Sequence, residues 1–126
     1  MRRNKFNTAP VAERTGANGR VYHSKREMVR AAELQLLERA GKIGELKEQP
    51  HYVVADAVEW HRQLLPWGYE QINLEPIDYI ADFAYRETGR LEVEVVEDVK
   101  GARTPLYLLK RQLFLLRYPG IEFRET

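Results

Sequence analysis

The chain contains no cysteine, which excludes a disulfide framework and any thiolate zinc site. Its uninterrupted apolar runs last only a few residues, far short of the roughly 20 that a membrane-spanning helix requires. The start, Met1-Arg2-Arg3-Asn4-Lys5, lacks the apolar segment of a secretory leader, so a cytoplasmic location is expected, that of the host cell if a phage encodes the chain. Histidine is scarce, and His23, His51 and His61 show no paired metal-ligand spacing, so each reads as structural or exposed. P-loop, G-x-S-x-G and G-x-G-x-x-G motifs are all missing, and no small-molecule cofactor is expected.

What is present fits one globular domain: 126 residues, 44% hydrophobic and 31% charged. The net charge of +1 hides a segregation along the chain. Residues 1–30 carry a balance of +6, residues 31–98 a balance of −9, and residues 100–121 a balance of +5 with no acid at all. Basic segments suit phosphate backbones, and an acidic cluster suits cations.

Residues 1–21 read as a basic arm without helical or strand period, expected to be loosely ordered or to fold on a partner. Ser24-Lys25-Arg26-Glu27 has the form of a capping box and predicts a helix ended by Gly41. Ile43 to Gln49 reads as a connection, and His51 to Ala55 as a strand. Residues 56–76, with Trp60 and Trp67, fit an inserted hairpin or a short helix and loop, the tryptophans filling a core or an interface. Tyr79–Tyr85 and Leu91–Lys100 read as strands joined by a turn at Glu87-Thr88-Gly89-Arg90. Thr104-Pro105 predicts a second helix with an apolar stripe of Leu106, Leu109, Leu113 and Leu116, followed by a last strand at residues 121–124. The resulting order αβββαβ predicts an α/β, mixed-sheet α+β fold.

Three groups of residues carry candidate chemistry. Asp98 and Lys100, two apart on a strand, face one side, and Asp82 on the preceding strand falls within reach of Asp98. Two adjacent carboxylates repel unless a proton or cation intervenes, and such hard oxygen ligands suit Mg²⁺ or Mn²⁺. Spacing alone fits a solvated edge-strand face better, and Glu97 is a rival acid on the opposite face. Glu27 is either the N3 acid of the capping box or an acid turned inward above Ala31 and Leu34. Arg103, Lys110, Arg111 and Arg117 form either a phosphate-tracking helix or an ordinary solvated face.

Three stretches carry a resemblance: Tyr22-His23-Ser24-Lys25-Arg26-Glu27, Tyr79-Ile80-Ala81-Asp82-Phe83, and Val96-Glu97-Asp98-Val99-Lys100-Gly101, with Thr104 to Lys110 as a fourth block. Together they resemble the PD-(D/E)xK nuclease superfamily, and more narrowly a small phage and prophage family of unassigned function with a resolvase-like core. Ala81 departs from the pattern, because the superfamily usually has proline there. The resemblance implies a restriction-endonuclease-like core in a single domain at residues 22–126, with an insertion near 56–76. It implies a Mg²⁺- or Mn²⁺-dependent endonuclease cutting DNA, structure-specific for branched or four-way junctions, in phage recombination, replication or packaging. Asp82, Asp98, the Val99 carbonyl and Glu27 would hold the ion, and Lys100 would orient the attacking water. Arg2, Arg3, Lys5, Lys25, Arg103, Lys110 and Arg111 would contact DNA, and a homodimer would cut two strands. The alternatives are a nicking or end-processing nuclease, or a non-catalytic nucleic-acid-binding module that kept the fold.

Overall fold

A computed structural model describes residues 9–126. In chain order they form α1 (Lys25–Arg39), β1 (Ile43–Glu48), β2 (His51–Ala55), β3 (Val58–Leu65), β4 (Gly68–Leu74), β5 (Ile77–Ile80), β6 (Phe83–Glu87), β7 (Arg90–Asp98), α2 (Pro105–Arg117) and β8 (Glu122–Glu125), after a short 3-10 turn at Val11–Arg14. The fold is mixed α+β with mostly antiparallel pairing. The described residues divide into two compact units: residues 9–50, Ala81–Gly101 and Gly120–Thr126 in one, His51–Ile80 and Ala102–Pro119 in the other. No helix among the described residues is long and apolar enough to cross a membrane.

The first unit is built on a four-stranded sheet in the order β1-β6-β7-β8. β1–β6 and β6–β7 are antiparallel, whereas β7–β8 is parallel and so requires the long crossover of residues 99–121. α1 starts where the sequence predicts, with the Ser24 side chain accepting from the Glu27 N–H at 3.1 Å. It ends in a Schellman turn, with Lys42 N–H donating to Leu37 O and Gly41 N–H to Glu38 O, Gly41 taking φ +73°. Ala31 and Leu34 of α1 close over Ile43, Phe83, Tyr85 and Val95 of the sheet, with Tyr22 sealing the edge. The 3-10 turn, an isolated Thr15–Val21 bridge and Arg14, which donates to Ala9 O and Tyr22 O, give residues 9–21 local order that a patternless arm does not predict. Arg2, Arg3 and Lys5 lie outside the described residues.

Three strand assignments change. Ile43–Gln49 is not a connection but β1, the first strand of the sheet. Its alternation is broken by a register shift between Gly44 and Lys47, and Glu45 (φ 54°) and Gln49 (φ 53°) sit in the left-handed region, so no clean period of two shows in the sequence. His51–Ala55 is a strand but pairs with β5, not with this sheet. The Tyr79–Tyr85 run is also broken in two at Ala81-Asp82. There the Gln49 N–H donates to the Asp82 carbonyl and the Ala81 N–H to the Pro50 carbonyl. A proline at position 81 could not donate that bond, which gives the Ala81 departure a local reason.

The second unit holds α2, the β2–β5 pair and the β3–β4 hairpin. Residues 56–76 therefore form the hairpin alternative, and Trp60 and Trp67 are 71% and 75% exposed rather than core residues. Thr104 caps α2 as predicted, accepting from the Tyr107 N–H. The helix does not bury its leucine stripe, because Leu106, Leu109 and Leu116 are exposed. Phe114 is the buried residue, packed between Tyr52 and Tyr79 at centroid distances of 5.0 and 4.9 Å. Aromatic area outweighs leucine here because ring pairs add a directional preference to burial.

Candidate functional site

At the N-terminal end of α1, Glu27 presents a carboxylate that is almost fully buried, with only 3% of the residue exposed. Its Oε1 makes no hydrogen bond, and Oε2 lies 3.7 Å from His23 Nδ1. Burial raises its pKa, the Asp82 charge adds to the rise, and His23 opposes it. Glu27, Ala31 and Leu34 are the buried residues of α1, so this acid turns inward.

Asp82 sits in the break between β5 and β6, where the chain leaves the pleat. Its Oδ2 accepts the Val99 N–H at 2.7 Å. Burial raises its pKa, while that bond and the charges of Lys100 and His23 pull it down. One ligand atom each from His23, Glu27 and Asp82 all lie within 4.8 Å of one another. His23 is a member that the absence of His–His spacing conceals. The signal was present as His23-x-x-x-Glu27, a donor and an acid one turn apart at a helix start.

Asp98 ends β7 and is fully buried. Neither of its oxygens makes a hydrogen bond, although Lys100 Nζ stands 3.4 Å from Oδ1. Burial pushes this carboxyl up to about 6, against the opposing pull of Lys100. The register Phe83↔Glu97 carries Asp82 to the level of Asp98, as the hairpin spacing predicts. Asp98 is nevertheless not a member of the His23–Glu27–Asp82 group. The bend at Asp82 turns its side chain to the Val99 amide instead of leaving it in the pleat beside Asp98.

The rival acid is excluded by its partners. Glu97 is fully buried and accepts two bonds from Arg30, at 2.6 and 2.9 Å, and one from the Tyr85 hydroxyl at 2.9 Å. A carboxylate so completely engaged has little lone-pair capacity left for a metal. The backbone at Lys100 is held on both sides: its N–H donates to Thr126 O at 3.0 Å and its carbonyl accepts from Arg26 Nη1 at 3.3 Å.

The basic candidates separate. Lys25 lies on the first turn of α1, in the same unit as the acids. Arg103, Lys110 and Arg111 belong to the second unit, where the Arg111 guanidinium lies 5.6 Å from the Tyr107 ring centroid. Arg117, read as a possible phosphate contact, pairs with Asp56 at 2.8 Å.

These residues fit a hard divalent cation. Glu27 and Asp98 bury carboxylate oxygens that make no hydrogen bond, with Lys100 the cation paired with Asp98, an expensive condition that a proton or a further cation would relieve. Carboxylate oxygen with a single imidazole is a donor set acceptable to Mg²⁺ and more so to Mn²⁺. Set against known proteins, residues 3–125 match the sequence model of a family described as "Protein of unknown function (DUF1064)". No curated protein and no solved structure matches.

Proposed function

The chain belongs to the DUF1064 family, whose description assigns no activity, and we propose that it is a divalent-metal-dependent endonuclease that hydrolyses DNA phosphodiester bonds. The observation that carries this reading is a set of three acids with raised pKa values, the buried Glu27 and Asp98, which keep oxygens without hydrogen bonds, and the half-buried Asp82, which bonds Val99 between Asp98 and Lys100. Acids shifted by burial beside a charged partner cluster at functional sites. Chain order supports it: α1, the three antiparallel strands β1, β6 and β7, then α2 and the parallel β8 match the succession of a restriction-endonuclease-like core.

Asp82, Asp98, Glu27 and the Val99 carbonyl would hold Mg²⁺ or Mn²⁺, with His23 as a further donor. The ion would supply Lewis acidity and lower the pKa of a bound water. Lys100, 3.4 Å from Asp98 Oδ1, is placed to orient that water and to stabilise negative charge as the phosphorus–oxygen bond breaks. The Asp82–Val99 bond fixes the acid-x-Lys segment against the bend, so the acid and the lysine keep one geometry. No base-reading motif stands out in the sequence, which favours recognition of DNA shape over sequence. Branched or four-way DNA cut by a homodimer, in phage recombination, replication or packaging, is the substrate reading, and sedimentation with and without junction DNA tests the dimer.

The deciding experiment is cleavage of labelled four-way, flapped and linear DNA with Mg²⁺ or Mn²⁺, comparing wild type with Lys100→Ala and Asp98→Asn. Cleavage of branched DNA that both variants lose supports the reading. Activity that survives both substitutions removes the site assignment. DNA binding without cleavage in any metal identifies a non-catalytic binding module instead.

A further inference from the structure

α1 presents a second charged feature on its outer side. Lys25, Arg26, Val29 and Arg30 fall one turn apart or side by side, with Lys25, Arg26 and Val29 exposed and Arg30 flanking the buried Leu34. They line a groove of about 440 Å³ that reaches Val99 and Thr126 at the end of β7. The groove therefore ends beside Lys100, whose carbonyl accepts from Arg26.

The cations of this groove are not equivalent. Arg30 is committed to Glu97 and to Glu33, whose acidic side chain also lines the groove. Among the described residues neither Lys25 nor Arg26 is paired with a carboxylate. Both sit on the first two positions of α1, where the positive end of the helix dipole disfavours a cation. Two cations without a carboxylate partner, held at an unfavourable helix end in a groove that reaches Val99, between Asp98 and Lys100 in the chain, call for an external anion. Glu33 at the far side repels the same anion, so occupancy is directed to the end nearest Val99.

We propose that this groove binds consecutive backbone phosphates of the DNA strand entering the acidic site, with Lys25 and Arg26 as the contacts. The proposal rests on the nuclease reading for the identity of the anion. Each phosphate neutralised releases condensed counterions, so the contacts appear in the salt dependence of binding.

The test is fluorescence anisotropy of the full chain with labelled junction DNA in EDTA, where no cleavage interferes, over a range of KCl concentrations. Lys25→Gln combined with Arg26→Gln is expected to weaken binding about 10-fold and to flatten the slope of log K against log salt by about 2. The melting temperature should hold or rise, because two cations leave the positive helix end. Lys25→Glu alone, at a position with no contact to Lys100, should weaken binding without altering the fold, and Arg26→Lys should retain most of it. An unchanged affinity and slope in the double variant overturns the proposal. Displacement of DNA by inorganic phosphate at matched ionic strength would identify a free-phosphate site and overturn it equally. The two readings fail separately: absent cleavage with a salt slope that responds removes the nuclease and leaves the groove, and intact cleavage with an unchanged KM in the variant removes the groove and leaves the nuclease.

Discussion

The residues that matter most are acids placed where water cannot reach them. Asp98 is fully buried and its oxygens find no hydrogen bond, so its charge costs stability in the metal-free protein. Asp98→Asn keeps the volume and removes the charge. It is expected to stabilise the metal-free protein by roughly 1–2 kcal/mol at pH 8 in urea titration, while abolishing cleavage. A loss of stability would mean that the Lys100 pair outweighs the burial. Glu97 behaves in the opposite way, because Arg30 and Tyr85 answer its charge. Arg30→Ala leaves that carboxylate buried and unpaired, and should cost about 3–5 kcal/mol by urea denaturation. Arg30→Ala with Glu97→Gln should cost less than the two changes summed, because they share one interaction. Neighbours in sequence, Glu97 and Asp98 thus differ in kind: one is answered by Arg30 and Tyr85, the other is buried with oxygens that make no hydrogen bond.

Among the elements, β8 shows how a short strand is secured. It pairs in parallel with β7, and Thr126 N–H donates to Asp98 O while Lys100 N–H donates back to Thr126 O. Arg124 reaches Glu87 at 2.8 Å and also pairs with Glu122, which Arg90 holds at 2.9 Å. The Arg124 bond chiefly holds the Glu87 carboxyl below its ordinary range, and the Arg90 bond does the same for Glu122. A depressed carboxyl contributes stability that is present above its unfolded pKa and is lost as pH falls through the folded value. Amide protection in β8 should therefore drop below about pH 4, before the β6–β7 ladder loosens, as followed by hydrogen exchange. Simultaneous loss in both strands would show that this network does not anchor β8. The groups are exposed, so high salt should weaken the effect.

At the scale of the molecule, the proposed metal would be the linkage that counts. A cation that binds the folded site and not the unfolded chain stabilises by mass action, about 2.7 kcal/mol at a hundredfold excess over Kd. Mn²⁺ should raise the melting temperature of wild type, EDTA should reverse the rise, and Asp82→Asn should abolish it. An equal shift in that variant would place the ion elsewhere. The charge segregation finds a place in this picture. The acidic middle segment contains Asp82 and Asp98, and the basic first segment contains Lys25 and Arg26 on the helix that also carries Glu27.

Much of this was legible from local chemistry alone. The Ser24 cap, the Gly41 stop, the Thr104-Pro105 start and the Glu87–Arg90 turn depend on residues a few positions apart, and each stands where the sequence puts it. The hairpin register that carries Asp82 to the level of Asp98 is of the same kind. Long-range pairing was not legible. β1 hides behind a bulge and two left-handed residues, and its partner β6 lies 35 or more positions away, so no short pattern reports it. Which face of α2 is buried depends on Tyr52 and Tyr79, not on the helix's own leucine period. Residue types and spacing determined the helix starts, the Gly41 stop and the turn by themselves, because these follow from local backbone geometry, whereas spacing alone left Asp98 and Lys100 on a solvated edge-strand face and only the family resemblance singled them out. Only the tertiary structure decided that His23 joins Glu27 and Asp82, and that Glu97 is spent on Arg30, because burial and pairing are set by residues distant in the chain.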